Sequence, residues 1–253
     1  MVLGVSAFGE FSWSAQQRAT LGLAGRREAI GGPRVTATVE DLQQAAEDRW
    51  VAGWLAGPTW TRYDQLPVQP GDPAPDLQLP DTSGSQRRLS EFWAYGPALV
   101  IFMRHFGCSC LMERWEALRD ELDAFTESGA MVVAVCQAEP ERAAEVATRR
   151  GYRFPLLCDP ERMAYRAYGL LEGQPSQILH DFPWRPNDME TAQTMFCEPR
   201  RGTERAVVDS PWQLPGEFVV ATDGLIQLGH RYQYCEDFPP KTVLLGAIAA
   251  AQH

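Results

Sequence analysis

The chain has little that would draw it to nucleic acid or to a membrane. No long basic run interrupts its 253 residues, and the formal net charge is −10. That balance argues against nucleic acid and anionic membrane surfaces as partners. No uninterrupted apolar stretch reaches the length of a membrane span. The first residues, Met1 to Ser14, are apolar in places but have no basic lead-in and meet Glu10 early, so no signal peptide is expected. A cytoplasmic protein is the expectation, and there disulfides are transient or catalytic. The six cysteines show neither the spacing of a disulfide framework nor two paired knuckles for zinc. His105, Cys108 and Cys110 are close enough in sequence to hold Cu(I) or Zn, but no further ligand stands near them, so neither metal nor cofactor is expected.

What is present is an ordinary globular composition, 45% hydrophobic and 22% charged. The length suits one generous domain, or one domain with an appendage. Residues 1–66 read as an N-terminal helical extension, and 67–253 as the main domain. Within the extension, Leu42, Ala45, Ala46, Trp50 and Trp54 recur near helical spacing over Val39 to Leu55. Thr38 and Asp41 form a loose capping box, and Gly57-Pro58 stops the helix. Trp13, Trp50, Trp54 and Trp60 make this region aromatic-rich. Packing onto the main body, a lid over a pocket and a homodimer contact are the roles open to these rings.

In the main domain, Leu77 to Pro80 and the turn residues after it suggest a short hairpin. Ala98 to Met103 is a continuous apolar run, expected of a central strand covered on both faces. Leu111, Trp115, Leu118, Leu122 and Phe125 mark one face of the next helix. A second buried strand (Ala130 to Val135), a helix opened by Pro140, a short third strand (Phe154 to Pro160) and a helix from Glu161 to Tyr168 follow. Residues 171–213 show no sustained period and read as an insertion. Gly216 to Thr222 and Leu225 to His230 flank Asp223-Gly224 as a hairpin, and Lys241 to Ala251 closes the chain as a helix. This order predicts an α/β fold with a mixed sheet.

The chemistry concentrates between the central strand and its helix, in Arg104-His105-Phe106-Gly107-Cys108-Ser109-Cys110-Leu111-Met112-Glu113. A thiol at a helix N-terminus meets unpaired N–H groups and the positive end of the helix dipole, and both favour the reactive thiolate. Arg104 could favour it further, and His105 could serve as acid or base. The plainer alternatives are that Arg104 and His105 are polar residues of a sheet edge, that Cys110 faces the core, and that Glu113 is a solvated residue complementing the dipole. Cys136 and Cys158 end buried-strand patterns and read as inert packing. Cys197, in the insertion, and Cys235, in the late loop, are candidate mobile resolving thiols.

Four blocks resemble the peroxiredoxin-like proteins of the alkyl hydroperoxide reductase/thiol-specific antioxidant group, within the thioredoxin fold. They are Gly71 to Leu79 with Leu89-Ser90-Glu91-Phe92, Phe102 to Glu113, Phe154 to Gly169, and Leu214 to Ile226. The resemblance implies a central mixed sheet flanked by helices. It implies Cys108 and Cys110 as the redox pair, and Phe106, Gly107 and Pro215 lining the substrate groove, with Pro215 either in the place of a cis proline or a plain trans residue of the sheet edge. The turn departs from the family pattern. Cys110 with Glu113 matches Cys-x-x-Glu, but Gly107 stands where a hydroxyl residue or a first cysteine is usual. Cys108 is similar to the first cysteine of a Gly-Cys-x-x-Cys turn with one residue deleted. Cys108 is favoured as attacker with Cys110 as its partner, and the other alignment reverses them.

The resemblance implies a thiol-dependent oxidoreductase that reduces a peroxide or exchanges disulfides. Its partners would be a peroxide or small organic substrate and a thiol reductant, either a thioredoxin-like protein or a low-molecular-weight thiol. Two other readings stand beside it. One is a specialised enzyme on the same fold, with a larger organic substrate enclosed by extension and insertion. The other is a non-catalytic binding module.

Overall fold

In the computed structural model the residues described are 38–58, 63, 66–106, 109–178 and 210–252, with the backbone alone for 109–113 and 175–176. Trp13, Trp60, Gly107, Cys108, Cys197 and the middle of the insertion lie outside them.

The first helix, α1 (Val39–Ala56), starts where its sequence says it should. The Thr38 hydroxyl accepts the Asp41 N–H at 3.1 Å while the Asp41 carboxylate accepts the Thr38 N–H at 2.9 Å. A hairpin of β1 (Gln78–Pro80) and β2 (Gln86–Arg88) follows, then a 3₁₀ turn (Leu89–Phe92). The rest alternates as β3 (Ala98–Phe102), α2 (Ser109–Glu127), β4 (Met131–Cys136), α3 (Pro140–Arg150), β5 (Leu156–Cys158) and α4 (Met163–Ala167). The short α5 (Pro175–Ile178) enters the insertion. The hairpin β6 (Gly216–Val220) and β7 (Ile226–Arg231) and the closing α6 (Lys241–Ala250) complete the order.

Five strands form one sheet in the order β5-β4-β3-β6-β7. β3, β4 and β5 are parallel, and β6 and β7 antiparallel. β3 is central and buried at every position. Its alternate residues feed two cores, because side chains on a strand point to opposite faces in turn. Leu99, Ile101 and Met103 pack with Leu118 and Phe125 of α2, Val146 of α3 and Leu244 and Ile248 of α6. Val100 and Phe102 pack with Tyr165 of α4, Tyr168, Phe218 of β6, and Leu79 and Leu89 of the first hairpin. Phe102 lies 4.8–5.8 Å, centroid to centroid, from Tyr165, Tyr168 and Phe218. The Tyr165 hydroxyl reaches the carbonyls of Met103 at 2.7 Å and Val135 at 2.9 Å, tying α4 to the ends of β3, which leads to the cysteine turn, and of β4.

Two segments differ from the sequence expectation. The helix expected over Glu161 to Tyr168 is only Met163–Ala167. Asp159 accepts the N–H groups of Met163 and Ala164, each at 2.8 Å, and Arg162 takes a positive φ of 54°, so the turn ahead of the helix is built from its side chains. The insertion also has an ordered base. Glu172 pairs with Gln213, and the Arg162 guanidinium donates to Glu172 at 2.6 Å. The helix α1 belongs with the main body to one compact unit, Ala37–His253.

Candidate functional site

The site begins where β3 ends. Met103, Arg104, His105 and Phe106 continue the strand and are all buried, at 1%, 3%, 5% and 6% exposure. The chain then passes through the cysteine turn into α2, whose backbone is helical from Ser109, so Cys110 falls in the first helical turn. Opposite, β6 runs antiparallel with Gly216 facing Phe102, which sets Pro215 beside the strand end. Three carriers thus converge on one sheet edge: the end of β3, the start of α2 and the lead-in to β6.

Around them the structure assembles groups from distant parts of the sequence. Trp50 and Trp54 of α1 stack with ring centroids 5.7 Å apart, and Trp54 stacks on Trp212 at 4.7 Å. The Trp212 indole N–H donates to the Gly53 carbonyl at 2.9 Å. His105 meets Trp50 edge-on at 6.3 Å. The described rings of the extension are therefore packing groups that also wall the strand end carrying His105.

Arg104 and His105 are not residues of a wet sheet edge. Arg104 donates from Nη1 to Cys235 Sγ at 2.7 Å and from Nη2 to the Pro211 carbonyl at 2.6 Å. Cys235 is itself buried, and its thiol also points to the Ile178 carbonyl at 3.5 Å. The expectation of a mobile Cys235 thus gives way to a sulfur clamped by a guanidinium. Of the two readings of Pro215 the trans one holds: no cis peptide bond occurs among the described residues, and Pro215 enters β6 buried, with its carbonyl accepting the Tyr232 N–H at 3.2 Å.

Below the helix start lies a buried ionic cluster that the sequence reading did not pick out. Arg114, in α2, holds Glu217 of β6 with both arms of its fork, Nε to Oε1 at 2.6 Å and Nη2 to Oε2 at 2.9 Å. Its third nitrogen, Nη1, reaches Glu121 at 3.0 Å, and the Tyr232 hydroxyl donates to Glu217 Oε1 at 2.5 Å. Burial alone would lower the Arg114 pKa, but the facing Glu217 charge drives it well above its ordinary value. Burial and the same carboxylate push Tyr232 strongly upward, so its hydroxyl stays a donor. The signal that could have found the cluster was a lone carboxylate inside the apolar run of β6.

Cys136 and Cys158 are register partners on β4 and β5, both fully buried. The hydrogen bond from its neighbour Cys136, then burial, pushes the Cys158 thiol far up, away from thiolate chemistry. Glu113 lies in α2, one turn from its start; among the candidate residues, Gly107 and Cys108 and the side chains of Cys110 and Glu113 fall outside the described set. Among the described residues no group of three His, Cys, Asp or Glu side chains could hold a metal ion, and no helix is long and apolar enough to cross a membrane.

Comparison with known proteins follows the same lines. A Mycobacterium tuberculosis protein described as a peroxiredoxin is 32% identical over 102 residues, covering 40% of this chain and 64% of its own length. Peroxiredoxin Bcp of Escherichia coli strain K12 is 26% identical over 104 residues, covering 41% of this chain and 66% of its own length. The chain therefore spans just under two thirds of the length of these two curated relatives. Among solved structures, peroxidoxin BcpB from Mycobacterium tuberculosis superposes with a TM-score of 0.52 at 20% identity, over 74% of this chain and 99% of that one. A PrxQ variant from Xylella fastidiosa superposes with a TM-score of 0.51 at 13% identity, over 74% and 98%. These neighbours share the thioredoxin fold, with its central mixed sheet. The AhpC/TSA family profile matches residues 70–228, from the first hairpin to the last strand, and the chain belongs to that family.

Proposed function

We propose that the protein is a thiol peroxidase whose reacting sulfurs are Cys108 and Cys110. The observation that carries this reading is the position of the Cys-x-Cys turn. It stands between the buried end of β3 and the first turn of α2, in a chain of the AhpC/TSA family. Free N–H groups at that helix start favour a thiolate, which is the nucleophile for the peroxide bond.

A turn thiolate, Cys108 in the favoured assignment, attacks the terminal oxygen of a hydroperoxide. The O–O bond breaks, an alcohol or water leaves with the proton, and the sulfur becomes a sulfenic acid. A second protein thiol displaces water from it to form a disulfide, and Cys110 is the nearest in sequence. An external thiol, from a thioredoxin-like protein or a small molecule, returns both sulfurs to the reduced state. That cycle suits a reducing cytoplasm. In this reading His105 trades the proton, and Phe106, Gly107 and Pro215 belong to the groove wall. Glu113 complements the helix dipole in the following turn.

Hydroperoxide consumption with dithiothreitol as reductant tests the reading. The wild type consumes it, and the double variant Cys108→Ser/Cys110→Ser does not. Activity retained in that variant places the chemistry elsewhere. Iodoacetamide at neutral pH labels these two cysteines ahead of the buried Cys136 and Cys158, and equal labelling of all four counts against the proposal.

A further inference from the structure

Arg104 is a buried cation with no anion among the described residues. It is 3% exposed, and its partners among the described residues are the Cys235 sulfur and a backbone carbonyl. Its Nε has no hydrogen-bond partner, and no described carboxylate forms an ion pair with it. The contrast with Arg114 is instructive, because there an equally buried guanidinium is matched by Glu217 and Glu121. A guanidinium cannot shed its proton in a protein, and burying an unpaired charge is costly. The group that can supply the missing negative charge is already in contact: the Cys235 thiol, 2.7 Å away, on deprotonation.

Chain connectivity links the residue that holds this sulfur to the cysteine turn. Arg104 is four residues before Cys108, so the Cα atoms of the two are at most about 14 Å apart. Cys235 comes from the loop after β7, held by the Gln233 N–H donating to Asp237 at 2.8 Å and by Gln177 Nε2 donating to the Gln233 carbonyl at 2.8 Å. Its sulfur points to the Ile178 carbonyl at 3.5 Å, and the guanidinium that holds it donates to the Pro211 carbonyl, so the two described ends of the insertion meet at this pair.

We propose that Cys235 is the resolving thiol of the catalytic cycle, kept ready as a thiolate by Arg104. This assignment rests on the peroxidase reading above and adds to it. The hydroperoxide oxidises a turn cysteine to the sulfenic acid by two electrons. The Cys235 thiolate attacks that sulfur, the S–O bond breaks, an S–S bond forms, and the departing hydroxide takes a proton and leaves as water. An external dithiol then reduces the bridge and is itself oxidised to a disulfide. A bridge within Cys108-Ser109-Cys110 would close a very small ring across a helix start, far from relaxed disulfide geometry, whereas Cys235 approaches from a separate loop.

The experiment is a single turnover of the full-length protein with one equivalent of cumene hydroperoxide and no reductant, followed by alkylation and tryptic mapping. Cleavage after Arg104, Arg114, Arg231 and Lys241 places the turn cysteines in peptide 105–114 and Cys235 in peptide 232–241. The expected product is a disulfide joining those two peptides. In Cys235→Ser, and in Cys235→Ala as a second substitution, that product is absent, and dimedone traps a sulfenic acid on 105–114 instead. Arg104→Met slows bridge formation at least about tenfold while dimedone-trappable sulfenic acid still forms. A bridge inside peptide 105–114 in the wild type, or a bridge from it to Cys197, overturns the role of Cys235 and leaves the peroxidase reading intact. No oxidation of either turn cysteine overturns both.

Discussion

The Arg114–Glu217 pair gives the sharpest test of what holds the site together. Glu217→Gln keeps the shape and one acceptor oxygen but removes the charge. Arg114 is then a guanidinium with 6% side-chain exposure whose remaining carboxylate is Glu121, at 3.0 Å and itself 18% exposed. Breaking a buried pair by removing one partner costs roughly 3–5 kcal/mol. The residual Glu121 contact and the retained amide acceptor put the expected loss near the lower end, about 3 kcal/mol. With a urea slope of about 2 kcal/mol per molar, the unfolding midpoint drops by about 1.5 M. The apolar replacement Arg114→Met/Glu217→Leu/Tyr232→Phe removes every member of the cluster except Glu121, which can turn to solvent. It should be more stable than Glu217→Gln although three residues have changed, because no charge is left buried alone. Equilibrium urea titrations followed by tryptophan fluorescence and by circular dichroism measure both variants. A Glu217→Gln midpoint within about 0.3 M of wild type, or a triple variant less stable than the single one, would refute the reasoning.

Two further outcomes follow from the structure. Gly169 has φ 69°, and a Cβ there would collide with the Pro67 side chain, whereas Gly151, at φ 66°, has open space around the same position. Both alanine variants pay the left-handed cost of about 1–2 kcal/mol, so Gly169→Ala should lower the thermal midpoint further than Gly151→Ala, and equal shifts would discount the Pro67 contact. Burial alone would raise the Asp76 carboxyl, but the Ser90 N–H and the Arg88 side chain outweigh it and hold the pKa below its usual value. A lowered carboxyl stabilises the fold above its unfolded pKa of about 3.9 and loses that contribution as pH falls through the folded value. Asp76→Asn should therefore be less stable than wild type at pH 6, with the gap narrowing toward pH 3 in urea titrations, and a gap that widens on acidification would contradict the sign.

Much of the site's frame was legible in the sequence because it is local. The Thr38–Asp41 box, the Pro140 helix start and the alternation of β3 and α2 depend on neighbours within a few positions, and the structure has them as read. The helix expected over Glu161 to Tyr168 is shorter because Asp159 uses its side chain to build a turn ahead of Met163. The base of the insertion was missed because Glu172 and Gln213 stabilise each other across forty residues without any period. Arg104 was flagged by its place in the chain, but its partner could not be, since Cys235 is 131 positions away.

The sequence by itself determined which residues alternate into the two faces of β3 and where the cysteine turn falls between strand and helix. Hydrophobic period and capping chemistry act over one or two turns, and a single chain displays them openly. Only the tertiary structure decided which sulfur and which carboxylate stand against Arg104 and Arg114. A buried guanidinium takes whatever group the sheet order and the late loop bring within about 3 Å, and that proximity is written in no local pattern.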